Sequence, residues 1–153
     1  AIKNYQLNVK KELTDFKEKF DVITLWHVLE HIEDFKTLLI NLKNLLNDGG
    51  IIILGLPNHN SYDAITYQEN WVAYDVPIHL SHFTKADILK LVDEFSFTSL
   101  IAKPLFFDAY YISMLSAKKS GKQFLSGLKN GWLSNTKAKK SGEYSSLMYI
   151  LKN

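Results

Sequence analysis

The chain has 153 residues, a length typical of one domain and sufficient to bury roughly two-thirds of the surface of its unfolded form. Its formal net charge is only +2 and all 18 basic residues are lysine, so charge alone does not indicate a nucleic-acid partner. The absence of cysteine excludes disulfides, thiolate metal ligands and cysteine nucleophiles. No apolar run approaches the roughly 20 residues of a membrane helix. The composition therefore predicts a cytoplasmic α/β or α+β protein with no membrane partner.

The first half of the chain predicts a strand–helix–strand unit. Phe20–Trp26 is a short apolar run without clean alternation, which indicates a buried parallel strand. From Asp34 to Leu46 the apolar residues recur at helical spacing. Asn47–Gly50 predicts the end of that helix, and Ile51–Leu54 predicts the second strand. Such a unit predicts two parallel strands joined by a right-handed crossover.

The second half begins with a polar and aromatic connection over residues 58–77. Thr84–Asp87 matches a capping box and predicts the start of a helix. Further along, Leu100–Phe106 predicts a third strand, Ala109–Ala117 a helix, and Tyr144–Leu151 a last strand that closes the sheet.

Seven lysines and no acidic residue lie between Asp108 and Glu143. A run of this kind is typical of a solvated loop or helix, and an anionic substrate or RNA is the alternative. Only Phe124 and Trp132 interleave with these lysines, so the stretch lacks a stacking platform for RNA. The sequence therefore favours a small-molecule partner over nucleic acid.

Polar and aromatic side chains follow the first two predicted strands. Trp26 and His27 come at the end of the first strand, and Asn58 and His59 follow the second. Because open parallel sheets bind ligands outside the carboxyl ends of their strands, these four side chains are expected to converge on one site.

A zinc site is an alternative interpretation of His27, Glu30 and His31. Their H-x-x-E-H spacing matches a zinc-protease pattern with two histidines one helical turn apart. The pattern falls at a strand-to-helix junction and has no third ligand on a second helix, so we predict no metal. Further along the chain, His79 and His82 lie three residues apart. They are interpreted first as hydrogen-bonded loop residues, then as pocket-lining residues, and last as metal ligands.

Two long segments resemble a known family. Residues 20–58, FDVITLWHVLEHIEDFKTLLINLKNLLNDGGIIILGLPN, resemble the middle of class I S-adenosylmethionine-dependent methyltransferases. Residues 71–92, WVAYDVPIHLSHFTKADILKLV, resemble the ubiquinone-biosynthesis-like branch of these enzymes. The resemblance implies the carboxyl-terminal part of a Rossmann-like α/β sheet, with parallel strands, an antiparallel closing strand and helices on the faces.

The resemblance also implies the cofactor, the reaction and the site residues. The cofactor is S-adenosylmethionine, the reaction is methyl transfer to a small-molecule acceptor, and the residues at the end of the first strand contact the cofactor, namely Leu25, Trp26, His27 and Val28. The main candidates for a catalytic base are His79 and His82, and His59 is a third. The residues expected to contact substrate are Asn58, His59, Trp71 and Tyr74.

The family's glycine-rich cofactor loop has no counterpart in the sequence, since no G-x-G pattern occurs. We therefore expect residues 1–19 to be a leading segment and residues 20–153 to be part of a methyltransferase domain. As given, the chain is expected to bind the cofactor weakly and to show no turnover, with a non-catalytic association domain as the alternative. The edge of Phe20–Trp26 would then be bare, which predicts a homodimer unless Ile2–Val9 covers it.

Overall fold

A computed structural model describes residues 9–153. The alternative to the predicted homodimer, a covering of the sheet edge by Ile2–Val9, therefore lies almost wholly outside the described residues. The described part contains one four-stranded sheet in the order β1-β2-β4-β3. Its strands are β1 (Phe20–Trp26), β2 (Leu46–Pro57), β3 (Ser99–Pro104) and β4 (Ser146–Lys152). β1 is parallel to β2, and β4 is antiparallel to both β2 and β3. The predicted α/β sheet with an antiparallel closing strand is confirmed.

Five α-helices lie between the strands of this described part. They are α1 (Phe35–Asn44), α2 (Tyr62–Tyr67), α3 (Lys85–Glu94), α4 (Phe106–Lys119) and α5 (Phe124–Ser141). The predicted capping box at the start of α3 is present. The Thr84 hydroxyl accepts a hydrogen bond from the Asp87 backbone N–H, and the Asp87 carboxylate accepts one from the Thr84 backbone N–H. No helix in the described range is both long and apolar enough to cross a membrane.

The turn after α1 differs from the prediction. The helix ends at Asn44, and β2 already begins at Leu46 instead of at Ile51. Gly49 has φ 72°, as expected for a turn glycine, but it lies inside the strand. Opposite it, the pairing of β1 with β2 shifts register between Phe20 and Val22. The glycine pair therefore supplies a bulge in the sheet and does not end the helix.

The two faces of the sheet are unequal. One face packs on α1 and α3 through a single apolar cluster that includes Leu25, Leu54 and Leu39. On the other face, Val22 and Ile101 are each 49% exposed. Within residues 9–153, β1 pairs only with β2, so its outer edge has no partner there. The homodimer through this edge stays a prediction.

A second apolar cluster lies beyond the carboxyl ends of β2 and β3. It joins α2 and the turns that follow it to α4, with Tyr67, Trp71 and Ile112 among its buried members. α5 packs along α4 as an antiparallel partner, with Gly127 and Gly131 directly against the α4 backbone. This helical pair forms one wall of the region where the predicted site residues meet.

Candidate active site at the carboxyl edge of the sheet

The backbone leaves β1 through a strained residue. His27 has φ 51°, a left-handed conformation that is uncommon for residues other than glycine, although Asn, Asp and His adopt it more often than most. Its backbone N–H donates to the Gly55 carbonyl (3.0 Å), which holds the turn against β2. Strain of this type is retained where the surrounding structure fixes it, commonly at functional sites.

The His27 ring lies between two carboxylates. Its Nδ1 is 3.3 Å from Glu30 Oε1, and its Nε2 is 3.4 Å from Asp108 Oδ2, at ion-pair distance but without hydrogen-bond alignment. Asp108 and Glu30 raise the pKa of His27 to about 9, although partial burial opposes the shift. The raised pKa favours a charged ring at neutral pH, so the formal charges of the three side chains sum to −1 at the end of β1.

Glu30 is the buried member of this group, with 1% of its surface exposed. Neither of its carboxylate oxygens has a hydrogen-bond partner in the described part of the chain. Its backbone carbonyl accepts from the N–H groups of Leu80 (2.8 Å) and Ser81 (3.1 Å). Glu30 thus anchors the segment that carries His79 and His82 to the end of β1.

A pH-dependent stability follows from the His27 ion pairs. The pKa of His27 in the folded state lies above the usual 6.5. The ion pairs therefore contribute fully to the free energy of unfolding below about pH 6.5, and this contribution is lost as the pH rises through about 9. We expect His27→Gln to lower the free energy of unfolding by about 1 kcal/mol at pH 6, since the ring is 43% exposed and water screens the pairs. Urea unfolding of the parent chain and of His27→Gln should show this difference in the free energy of unfolding at pH 6 and its disappearance at pH 9.5. A difference independent of pH would contradict the assignment.

The predicted base candidates have their ring orientations fixed by backbone carbonyls. The Nδ1–H of His79 donates to the Ala73 carbonyl (2.8 Å), which leaves Nε2 of the neutral ring as the acceptor. His82 has the opposite arrangement, because its Nε2–H donates to the Tyr74 carbonyl (2.9 Å) and leaves Nδ1 as the acceptor. His79 lines the cavity that His27 also lines, whereas His82 does not. Of the two, His79 is the one positioned to take a proton there.

Glu30, His31 and His79 form a group that could hold a metal ion. One potential ligand atom from each lies within 4.8 Å of the others. The Nδ1–H of His31 donates to the Ile78 carbonyl (3.3 Å), so the Nε2 atoms of both histidines are available as ligands. His27 is not part of this group, because its two ring nitrogens face Glu30 and Asp108. The H-x-x-E-H spacing therefore does not produce the arrangement expected of the zinc pattern.

The four predicted cofactor residues divide between the core and the surface. Leu25 is buried in the core under α1 and α3. Trp26 and Val28 are 47% and 40% exposed. The Trp26 ring lies over Gly55, where a Cβ atom would come within 2.5 Å of it. Trp26, His27 and Val28 thus present an accessible surface at the carboxyl edge of β1.

The predicted substrate residues are also divided. Asn58 and Trp71 are fully buried; the Asn58 amide donates to Glu143 (2.7 Å), and the Trp71 indole N–H donates to Asp63 (2.8 Å). His59 and Tyr74 are half-buried, and the Tyr74 ring stacks edge-on against His82. His59, Trp71 and Tyr74 lie near His79 and His82, whereas the Asn58 side chain contacts Glu143 and Tyr144. The contacts of all four residues with a substrate stay predictions.

Sequence analysis missed the contribution of α4. A cavity of about 460 Å³ opens between the end of β1 and this helix, and its lining includes His27, His79, Asp75, Asp108 and Tyr111. Asp108 lies in the first turn of α4 and comes to His27 only through the tertiary fold. The only signal in the sequence is that Asp108 is the last acidic residue before the long lysine-rich stretch.

Comparison with known families identifies the group of enzymes to which this site belongs. A family model described as a methyltransferase domain matches residues 2–101, about two-thirds of the chain. The chain belongs to this methyltransferase family. The cofactor of the family is S-adenosylmethionine, as the sequence resemblance implied, and the narrower ubiquinone-biosynthesis-like branch stays a prediction. A search of curated proteins gives no match.

Solved methyltransferase structures share the fold. A Thermotoga maritima S-adenosylmethionine-dependent methyltransferase, described as a possible histamine N-methyltransferase, superposes with a TM-score of 0.59 at 14% identity over 94% of this chain and 62% of its own. The Mycobacterium tuberculosis cyclopropane synthase MmaA2 superposes with a TM-score of 0.53 at 14% identity, over 92% of this chain and 58% of its own. An S-adenosylmethionine-dependent methyltransferase from Archaeoglobus fulgidus superposes with a TM-score of 0.52 at 15% identity, over 95% of this chain and 66% of its own. This methyltransferase chain therefore spans about three-fifths of the length of such relatives.

Proposed function

We propose that this chain carries the acceptor side, and part of the cofactor side, of a methyltransferase site that acts on a small molecule in the cytoplasm. The observation that carries the proposal is the meeting of two groups at one cavity. His27, one of the cofactor residues of the family resemblance, lines this cavity at the end of β1, and His79 lines it from the connection after β2. Trp26 lies beside His27 in the chain and is exposed at the same end of β1.

The residues present fit the charge of the cofactor. S-adenosylmethionine supplies an electrophilic methyl group on a positively charged sulfonium. The group of His27, Glu30 and Asp108 has a net charge of −1, and the oxygens of Glu30 lack hydrogen-bond partners in the described residues. A cation is therefore favoured beside it. Trp26 and Val28 add exposed apolar surface for the uncharged parts of the cofactor.

His79 is the proposed general base. When bound, S-adenosylmethionine would supply the methyl group to the acceptor atom, with its sulfur as the leaving group. The acceptor's proton goes to Nε2 of His79, which has its lone pair free because Nδ1–H is held by Ala73. A neutral imidazole is suited to this role near pH 7. His27 is excluded as the base, since the ring is already charged at that pH.

Matched variants of the full-length gene product test the two roles separately. Trp26→Ala is expected to weaken S-adenosylmethionine binding about tenfold in calorimetry, because it removes an exposed apolar contact. His79→Asn keeps a donor for the Ala73 carbonyl but lacks the base, so turnover of a methylatable small molecule should fall about 100-fold with cofactor binding unchanged. The control is His82→Gln, which keeps the donor for Tyr74 and should leave turnover within about threefold. Equal losses for His79→Asn and His82→Gln would show that neither ring is the base.

A metal-dependent activity is the second candidate, favoured by the proximity of Glu30, His31 and His79. Two imidazole nitrogens and one carboxylate are a ligand set that zinc accepts, with a fourth position for water. Metal analysis of the purified protein decides between the candidates. Stoichiometric zinc that is lost in His31→Ala would support a metal centre, whereas a metal-free protein that binds S-adenosylmethionine would exclude it.

A further inference from the structure

We propose that the acceptor cleft runs along α4 and takes an elongated amphiphile whose anionic group lies between Lys118 and Lys122. The inference rests on the proposed function, because it places the methylated end of the molecule at His27 and His79. The stretch between Asp108 and Glu143 contains seven lysines, and the proposed methyl transfer uses none of them. The inference assigns a role to two of these lysines.

Two cavities on the α4 side form one cleft. The first, of about 460 Å³, contains His27 and His79. The second, of about 410 Å³, is lined by Met114, Phe124, Lys118 and Lys122 together with residues of the first. Tyr111 and Leu115 line both cavities, so the two adjoin at these side chains, and we treat them as one cleft.

One face of α4 forms the wall along this cleft. Asp108, Tyr111, Leu115 and Lys118 lie at positions i, i+3, i+7 and i+10 of the helix, a spacing that places them on the same side. Ten residues of α-helix correspond to about 15 Å along the axis. A ligand that reaches from the histidines to the lysines therefore needs an extended body of that order of length.

The ends of the cleft have opposite charge. Asp75 and Asp108 line the end that contains the histidines. Lys118 and Lys122 line the other end, and neither has a carboxylate at ion-pair distance within residues 9–153. An anionic group is repelled from the first end and attracted to the second, which fixes the direction in which the molecule enters.

The middle of the cleft is apolar and accessible. Tyr111 is 63% exposed and Phe124 is 62% exposed, and Leu115 and Met114 lie between them on the cleft wall. Exposed aromatic and aliphatic side chains in a row are suited to an alkyl or aryl body. A small polar acceptor would leave this surface unused, so the arrangement favours an amphiphile.

Lys118 lies in the last turn of α4, and the loop that follows this helix fixes the position of the Lys122 backbone. The backbone N–H of Lys122 donates to the Ala117 carbonyl (2.8 Å), which folds the loop back beside the helix end. The ammonium group of Lys119, by contrast, donates to the Glu69 carbonyl (3.3 Å), and this lysine does not line the cleft. Lys129, exposed on α5, does not line it either.

The test uses decanoate as a probe on this chain, with matched lysine pairs. Calorimetry should show one decanoate bound per chain at submillimolar concentration. We expect Lys118→Gln with Lys122→Gln to weaken this binding about tenfold, since both charge-assisted contacts are removed. The control pair, Lys119→Gln with Lys129→Gln, removes the same charge from the same region and should change binding by less than about twofold.

Three outcomes would overturn the proposal: no decanoate binding, equal weakening in both pairs, or equally tight binding of decyltrimethylammonium. Co-sedimentation with phosphatidylglycerol vesicles forms a separate arm. Vesicle binding that depends on Lys118 and Lys122, without decanoate binding, would mean that these lysines contact a membrane surface instead. None of these measurements involves S-adenosylmethionine or turnover, so a negative result with decanoate does not contradict the proposed function. Conversely, a negative result with the Trp26 and His79 variants does not contradict decanoate binding in the cleft.

Discussion

Replacing Asp63 by alanine is expected to lower the free energy of unfolding by about 4 kcal/mol. Asp63 is fully buried, and its carboxylate accepts from the indole N–H of Trp71 (2.8 Å) and the hydroxyls of Ser134 (2.6 Å) and Ser145 (2.6 Å). The variant would leave three buried donors without an acceptor. Thermal unfolding monitored by circular dichroism measures the loss.

Two further variants make this prediction specific. Asp63→Asn keeps a side-chain oxygen for one or two of the donors and should cost less than half as much as Asp63→Ala. Asp93→Ala removes an exposed carboxylate from α3 and should change the free energy of unfolding by less than about 0.5 kcal/mol. If Asp63→Ala unfolds at the same temperature as Asp93→Ala, the carboxylate does not hold these segments together.

Gly131→Ala is expected to lower the free energy of unfolding by about 3 kcal/mol and the melting temperature by about 9 °C. Helix propensity alone predicts the opposite sign, because alanine in a helix interior is favoured over glycine by about 1 kcal/mol. A Cβ atom at Gly131, however, would lie 2.7 Å from the Cα of Tyr110 and 2.8 Å from the Ala109 carbonyl oxygen. Since these are backbone atoms, α4 and α5 would have to move apart.

The same contact recurs one turn earlier, where a Cβ at Gly127 would meet the Met114 Cα at 2.6 Å. Gly127→Ala should therefore have a similar effect, while Lys129→Ala, an exposed substitution on the same helix, should stay within about 0.5 kcal/mol of the parent. Differential scanning calorimetry of the three variants decides the point. A higher melting temperature for either glycine variant would show that helix propensity outweighs the close contact.

The sequence predicted those parts of the fold whose signal is local. β1 was predicted from Phe20 to Trp26, the bounds observed, because β-branched and apolar residues dominate that run. The expected burial of the strand was wrong, since Leu25 alone among its residues is buried and β1 lies at the edge of the described sheet. The capping box at Thr84 was confirmed because its two hydrogen bonds depend on residues three apart. α5 was not assigned, since its 18 residues include two glycines and several polar residues. Its helix is stabilised by packing on α4, which no single-segment pattern contains.

The candidate site shows the same limit. Sequence placed His27 at the end of β1 and His79 in the connection after β2, where the structure has them. It did not find Asp108, which approaches His27 only once α4 has packed. Trp71 was predicted to contact substrate, and its burial against Asp63 could not be foreseen, because that contact depends on the second apolar cluster. Residue types were thus predictable, and their partners were not.

The order β1-β2-β4-β3 constrains how the sheet can assemble. β2 and β3 are neighbours of β4 and not of each other, although β3 precedes β4 in the chain. Until β4 enters, β3 has no hydrogen-bonded partner in the described sheet, and β2 has β1 alone. Folding therefore has to close a long loop, through α4 and α5, before two of the three strand pairings of the described sheet can form, which makes this step slow. Amide protons of β3 and β4 should accordingly exchange with solvent together, as one cooperative unit.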